Sequence, residues 1–395
     1  MFNTYPVWML VDDTDIKGLN MFNKKYCCVM MFVFLNGCTA IGPDSIKSSR
    51  TDYNMAIQST NDQELLLNIV RARYRDNLYF TTVERIAASQ ELLRSSSVGF
   101  TAGVVNNTPL VNSNLATSII SKARSSVLSV GPASVALNEK PTIFYAPIDG
   151  EKFVRQMMTP LKPDILILLI KSGWSIDRVL MLGVQSMNDL ENAPTASGPT
   201  PSYAPEFVSF REAAHLLREM QRQHMLNIVV NTNDKSIGVE FSKASENTKT
   251  AIKIKSLLGL NSDLKYFKLG NEAQRQDGQT VVVVTRPIAA TINYLSQGVE
   301  VSKNDIGAGT VRQTVKDDGK TPFDWQDLLS GVFKVKESQA APEHASVSVY
   351  YRGKWFYISD NDLDSKSSFM LLTQLMALHS TPPQSGTALT YSVGG

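Results

Sequence analysis

Hydrophobic positions change their spacing several times along this chain. Leu66, Ile69 and Val70 share one face at helical spacing, which predicts a helix over 62–74. The same criterion predicts further helices over 163–170, 209–223, 251–258, 289–295 and 364–379. Alternation or short apolar runs predict strands over 142–145, 226–230, 238–241, 280–284 and 346–351. This mixture predicts an α+β fold of helices and mainly antiparallel strands.

The segment SVSVYYRGKWFYIS at 346–359 predicts a β-hairpin with a two-residue turn at Arg352-Gly353. The core face of this hairpin then carries Val347, Val349, Phe356 and Ile358. The opposite, aromatic face carries Tyr350, Trp355 and Tyr357. The helix predicted over 364–379 is a candidate cover for that face. Without a cover, the three aromatic residues form a candidate partner surface.

Residues 92–138 are low in charge and rich in small and hydroxyl residues. Val98 to Val104 alternate with glycine and threonine, and Leu110 to Ile120 can return as a second strand after a turn. The pattern predicts a low-charge hairpin. Three interpretations stay open for it: an exposed loop, an oligomer contact, or a hairpin that faces lipid.

Four prolines close together indicate a boundary between two domains. They lie in the segment 191–206, at Pro194, Pro199, Pro201 and Pro205. Such a composition is typical of a semi-rigid linker. We therefore predict an N-terminal α+β domain over 61–190, a C-terminal α+β domain over 207–380, and a flexible tail over 381–395.

The N-terminal pattern is that of a lipoprotein signal peptide. Lys24 and Lys25 precede an uncharged apolar run from Tyr26 to Leu35, which is too short to span a bilayer. Leu35-Asn36-Gly37-Cys38 resembles a lipobox, although Asn36 departs from the usual small or hydroxyl residue. We predict removal of residues 1–37, lipidation of Cys38, and a polar lipidated tether over 38–60.

The true start of the chain is better placed at Met21. Asp12, Asp13 and Asp15 bring acidic charge into a region that is basic in signal peptides. After Cys38 comes Thr39 rather than aspartate. By resemblance to enterobacterial sorting, that residue favours the outer membrane over retention at the inner membrane. Stable anchoring follows, because a fully processed lipoprotein cysteine carries more than one acyl chain.

Composition excludes several classes of function. The chain has 395 residues, a net charge of +2 and three cysteines, none of them after Cys38. Once Cys38 carries lipid, the mature protein has no free cysteine. It therefore cannot form a disulfide or a thiolate metal site, and it has no cysteine nucleophile. The balanced charge offers no basic face for nucleic acid.

A search for catalytic and metal motifs identifies no site. Asp360, Asp362 and Asp364 begin like a calcium loop, but Ser365 and Leu371 replace its required glycine and glutamate. Gly319-Lys320-Thr321 lacks the first glycine of a P-loop, and the histidines show no paired ligand spacing. We therefore predict no catalytic, cofactor-binding or metal-ligating residue, no cofactor and no enzyme activity. Carboxylate pairs distant in sequence stay open, as in glycosidases.

Three stretches resemble an uncharacterised family of proteobacterial lipoproteins. They are LLLNIVRARYRDN at 65–77, KPTIFYAPIDGEKF at 140–153 and YYRGKWFYISDNDLDSK at 350–366. The resemblance extends over most of the mature chain and implies no activity.

The sequence thus predicts an outer-membrane-anchored periplasmic lipoprotein with a structural or assembly role in the cell envelope. The alternatives are a subunit of an oligomeric outer-membrane pore or secretion channel, and a glycan- or peptidoglycan-acting enzyme. The expected partners are the membrane, through the lipid at Cys38, and envelope proteins, peptidoglycan or a second copy of the chain.

The anchor is tested by changing Cys38 to serine. Because the hydroxyl cannot accept the thioether-linked lipid, we expect Cys38→Ser to abolish metabolic labelling with a fatty-acid analogue and to move the protein out of the membrane fraction. Cys28→Ser is the matched control and should keep its label, since Cys28 lies within the removed segment. Labelling that persists in Cys38→Ser would contradict the assignment. A chain that starts at Met21 should behave like the full chain.

Overall fold

A computed structural model describes residues 41–95, 124–130, 133–148, 150–230, 236–245, 248–270 and 278–379. The chain divides into two units, Met1–Thr60 and Asn61–Gly395. Several predictions fall outside the described residues: the signal peptide, Cys38, the strands expected within 98–120, and the tail over 381–395.

The described residues form both helices and strands. The helices are α1 (Ile41–Arg73), α2 (Glu151–Met158), α3 (Pro163–Lys171), α4 (Ile176–Gly183), α5 (Val208–Arg222), α6 (Lys249–Leu257), α7 (Ile288–Ser296), α8 (Lys303–Gly307), α9 (Gln326–Leu329) and α10 (Leu363–His379). A short 3₁₀ helix spans Pro194–Ser197. The strands are β1 (Phe80–Ser95), β2 (Arg124–Val130), β3 (Ala133–Ile148), β4 (Val184–Met187), β5 (Leu190–Glu191), β6 (Leu226–Val230), β7 (Ile237–Phe241), β8 (Tyr266–Gly270), β9 (Thr280–Thr285), β10 (Lys336–Ser338), β11 (Ala345–Tyr351) and β12 (Lys354–Ser359). The predicted α+β class is confirmed.

The largest sheet has six strands in the order β5-β4-β9-β8-β7-β6. Strands β8 and β9 run parallel, and every other neighbouring pair is antiparallel. Strand β4 lies before the proline-rich segment in sequence, yet it pairs directly with β9, which lies after it. One sheet therefore draws strands from both of the regions that the sequence analysis assigned to separate domains.

The proline-rich segment 191–206 is consequently not the linker that its composition predicts. Asn192, Ala193 and Ala196 are fully buried, and the whole segment belongs to the unit Asn61–Gly395. The amide of Asn192 donates hydrogen bonds to the carbonyl oxygens of Met181 and Val184. The prolines fix turns in a packed segment, because proline restricts φ whether or not the chain around it is solvated.

The predicted tether over 38–60 also differs from the structure, because α1 already begins at Ile41. Pro43 lies in the first turn of this helix, where its missing N–H has no helical partner to lose. No proline or glycine follows before Arg73, so nothing in the sequence interrupts the helix. The polar composition of this segment is therefore compatible with a solvent-exposed helix as well as with a tether that has no regular structure.

A second sheet has the order β1-β3-β2, with long antiparallel pairing between β1 and β3. Its register runs from Phe80 opposite Ile148 to Ser95 opposite Ser134. The short strand predicted over 142–145 is thus part of a longer one. Within 92–138, the described residues at both ends belong to this sheet: β1 and β2 each pair with β3. The hairpin predicted within 98–120 lies outside the described residues and stays a prediction. The three interpretations of the segment between β1 and β2 stay open.

The third sheet, β10-β12-β11, contains the hairpin predicted at 346–359. Tyr351 pairs with Lys354, Val349 with Phe356, and Val347 with Ile358, as the two-residue turn requires. Gly353 has φ +81°, a conformation that glycine adopts without steric cost. Both members of each of the last two pairs are buried, so the predicted core face is confirmed.

The hairpin register is tested by comparing two truncations on its opposite faces. Phe356 is fully buried, so Phe356→Ala should lower the free energy of unfolding by about 3–5 kcal/mol. The side chain of Tyr350 is 60% exposed, so Tyr350→Ala should cost at most about 1 kcal/mol. Urea melts of the two variants measure both values. A larger loss for Tyr350→Ala than for Phe356→Ala would mean that the register is shifted by one residue.

Candidate functional site

One face of the six-stranded sheet is apolar across adjacent strands. Directly opposed residues of neighbouring strands point to the same side of a sheet. Ile228 lies opposite Val239, which in turn lies opposite Phe267. Further along the same face, Leu269 lies opposite Val281. Alternation within each strand and pairing between strands thus produce one continuous apolar surface.

Four helices face this surface with apolar stripes of their own. Leu166 and Ile170 are four residues apart on α3, and Ile176 and Leu180 are four apart on α4. Helices α5 and α6 contribute Leu217 and Ile254. The opposing wall is therefore apolar as well.

A cavity of about 410 Å³ lies between the sheet and these helices, and we call it the apolar cavity. Its lining is aliphatic or aromatic except for Pro163, Asp164 and Gly270. Asp164 is the one charged lining residue, and it is exposed in the first turn of α3. Nothing in this lining favours an ionic or strongly hydrogen-bonded ligand within the cavity.

The sheet residues around the apolar cavity are incompletely covered. Ile228, Val239 and Leu269 are only half-buried, although each belongs to an inner face of the sheet. An apolar space that stays unfilled forfeits dispersion contacts along its walls. Such a space is the usual form of a small-molecule site, being concave, apolar and present before the ligand arrives.

The ammonium group of a buried lysine close to the apolar cavity is held by local contacts. The ammonium of Lys255 donates a hydrogen bond of 2.8 Å to the carbonyl oxygen of Ser262. It also lies 5.5 Å from the centre of the Phe241 ring and 5.9 Å from that of Phe267. Because the two rings line the cavity and Lys255 does not, the surface that a ligand meets stays apolar.

A second buried cation, Arg286, holds the elements around the sheet together. Its guanidinium donates to the carbonyl oxygens of Met181 and Asn192 and to the hydroxyl of Ser197. It also lies 4.0 Å from the centre of the Tyr294 ring. Burial lowers the pKa of Arg286 to about 10 and raises the pKa of the Tyr294 hydroxyl to about 12. At neutral pH the guanidinium therefore keeps its charge.

The structure brings together two of the three aromatic residues that the sequence proposes as a partner surface. The rings of Tyr350 and Trp355 are 5.3 Å apart, centre to centre. Tyr357 lies on the same face but pairs with Lys336 and Ser348, away from Tyr350. Trp355 and Tyr357 are both half-buried.

Helix α10, the predicted cover of this aromatic face, packs instead against α4 and α7. Its buried residues include Phe369, Leu371 and Leu375, which turn towards the core. Tyr350 consequently stays open to solvent. Whether the face binds a partner stays a prediction.

Tyr350 and Trp355 form one wall of a groove of about 510 Å³, which we call the aromatic groove. Its remaining lining residues come from α1, the start of β1 and the hairpin: Gln63, Glu64, Leu67, Arg71, Tyr79, Thr81, Ser348 and Val349. The aromatic groove thus combines exposed rings with planar polar groups. It shares no lining residue with the apolar cavity.

Hydrogen bonds fix α1 to the first residues of β1 at this groove. The side chain of Asn68 donates to the carbonyl oxygen of Tyr79 at 2.8 Å and accepts from its N–H at 2.9 Å. Glu64 accepts from the N–H of Thr81 at 2.5 Å and from its hydroxyl at 2.6 Å. The part of the groove that is formed by α1 and the start of β1 is therefore held in place by the protein itself.

Within the described parts of the chain, no cluster of three histidine, cysteine or acidic side chains is arranged to hold a metal ion. The same residues contain no helix long and apolar enough to cross a bilayer. Cys38 lies outside them.

The apolar cavity is not predicted by the sequence, although most of the strand residues that form one of its walls are. Residues 226–230, 237–241 and 280–285 were predicted, in large part, as strands. Their apolar positions show which residues share a face, but they do not show that the helices opposite leave space. Cavity formation depends on the distance between layers, which hydrophobic periodicity does not encode.

Comparison with known proteins finds no family model, no curated protein and no solved structure that matches this chain. The site must therefore be interpreted from its own geometry.

Proposed function

We propose that this chain is a non-catalytic lipoprotein of the cell envelope, anchored through Cys38 to the outer membrane and facing the periplasm, whose body binds the alkyl chain of a lipid. The observation that carries the proposal is the apolar cavity of about 410 Å³ against one face of the six-stranded sheet. The structural or assembly role predicted from the sequence then becomes a role in holding or passing lipid at the membrane.

The chemistry of the lining favours an alkyl chain over a polar ligand. Burying a hydroxyl or amide without a hydrogen-bond partner costs about 1–3 kcal/mol in proteins. The cavity walls offer side chains such as Ile228, Val239 and Leu269, which have no polar atom to meet such a group. The charged residue Asp164 is exposed, so a lipid would place its polar end towards solvent.

The size of the cavity favours a slender chain over a peptide helix. A helix is about 10 Å wide with its side chains and rises 5.4 Å per turn, so one turn fills roughly 420 Å³. The cavity would hold one such turn, which buries too few anchoring side chains for stable docking. An alkyl chain, in contrast, gains about 0.8 kcal/mol for each methylene it buries.

Binding is tested by displacement of a fluorescent fatty acid, cis-parinaric acid, with palmitate as competitor. The protein is the full chain with Cys38→Ser, so that no acyl group of its own can enter the site. We expect saturable binding of the probe at one site, and its release by palmitate. If the Cys38→Ser chain, whose cavity is unaltered, binds neither cis-parinaric acid nor palmitate, the proposal is contradicted.

Two neighbouring valines on β9 provide a matched pair of variants. Val283 lines the cavity, and Val284 lies on the other face of the strand with 43% of its surface exposed. Val283→Phe should weaken probe binding at least about tenfold, since excluding two methylenes costs about 1.6 kcal/mol. Val284→Phe should leave affinity unchanged. If Val283→Phe does not fold, Val239→Phe on β7 takes its place. Equal probe binding by the cavity variant and by Val284→Phe would show that the probe does not bind in the apolar cavity.

A further inference from the structure

We propose that the aromatic groove is a second binding site, and that its ligand is a polysaccharide strand. The proposal rests on the hairpin β11–β12, the end of α1 and the start of β1, and it does not depend on the alkyl-chain site. The relevant features are the exposed rings on its walls, the fixed polar groups between them, and the balance of charge.

Exposed aromatic rings line the groove on more than one element. Tyr350 on β11 is 60% exposed, and Tyr79, just before β1, is 53% exposed. Trp355 is half-buried and packs against Tyr350. The carbon-bound hydrogens on one face of a sugar ring pack well on the electron-rich face of such rings. Tyrosine and tryptophan add a polar tip that stays hydrogen-bonded at a wet site.

Planar polar side chains lie beside these rings. Each of Glu64, Arg71 and Gln63 presents two or more hydrogen-bonding atoms in one plane, which matches the spacing of neighbouring hydroxyl groups on a sugar. The hydroxyl of Ser348 adds a group that donates and accepts. Apolar ligands such as lipid chains would leave these groups unpaired, which is costly.

Two of the polar groups, Glu64 and Arg71, already make hydrogen bonds within the protein before a ligand binds. Both carboxylate oxygens of Glu64 are held by Thr81, and each keeps acceptor capacity for a ligand hydroxyl. Arg71 donates one hydrogen bond to Asn68 at 3.3 Å, and its guanidinium has four more N–H donors. A fixed array of this kind loses little entropy on binding.

Charge and size favour a polymer strand that does not carry a dense negative charge. Glu64 and Arg71 carry opposite charges, so the groove has no net attraction for a polyanion such as nucleic acid. Its volume of about 510 Å³ lies in the range of sites for small ligands or single polymer strands. A stable protein partner would instead need a broad buried area, of about 1,200–2,000 Å² in total.

Co-sedimentation with insoluble polysaccharides tests this site. The Cys38→Ser chain is incubated with peptidoglycan sacculi, chitin, cellulose and starch granules, and the bound fraction is measured. We expect saturable retention on at least one of them, with soluble oligosaccharide of the same sugar as competitor. The proposal is overturned if none of the four polysaccharides retains the protein. It is also overturned if the groove is found to bind an envelope protein and no polysaccharide.

Variants at three exposed tyrosines locate the binding. Tyr350→Ala and Tyr79→Ala should each weaken retention by about tenfold, the scale of one lost aromatic contact. Tyr203→Ala is the matched control, since Tyr203 is 59% exposed and does not line the groove. Retention that falls equally in all three variants would contradict the assignment to this groove. Because the two groove variants lie on different elements, a folding defect in one leaves the other informative.

Discussion

The buried guanidinium of Arg286 is the contact on which the arrangement of the unit Asn61–Gly395 depends. It has no carboxylate partner among its described contacts, and its charge is met by two carbonyl oxygens, a hydroxyl and the Tyr294 ring. Those groups belong to α4, the proline-rich segment and α7, while Arg286 itself follows β9. One side chain thus joins elements from both sides of the predicted domain boundary. Removing it would take the guanidinium donor away from the buried carbonyl oxygen of Asn192, which is costly in a low-dielectric interior.

The large sheet is covered more closely near this junction than at its other end. Near Arg286, residues such as Val184, Leu182 and Ile288 are tightly packed. Further along the sheet, towards β7 and β6, the helices α3, α5 and α6 leave the apolar cavity open. The fold therefore combines an end that is held by the hydrogen bonds of Arg286 with an apolar end that has space for a ligand. The proposed binding function uses that difference.

The hairpin at 346–359 could be predicted in detail because its register is set locally, by the Arg352-Gly353 turn and by alternation over a few residues. The proline-rich segment could not, because its burial depends on β4 pairing with β9, almost a hundred residues later. The helical tether was missed for a related reason: polarity indicates solvent exposure and does not exclude a helix. Of the two sites, the sequence identified Tyr350 and Trp355 but gave no indication of Glu64, Arg71 or Tyr79 beside them. The residues that line the apolar cavity were recognisable as core, and the space between them was not.

The central claim, that an alkyl chain lies against the six-stranded sheet, is tested most directly by methyl-resolved nuclear magnetic resonance. The Cys38→Ser chain, with labelled isoleucine, leucine and valine methyl groups, is studied with and without palmitate. The account predicts nuclear Overhauser contacts between the palmitate methylenes and the methyl groups of Ile228, Val239 and Leu269, which line the cavity. Val284 on the opposite face should show none. Contacts confined to other methyl groups, or no contacts at saturating palmitate, would contradict the account.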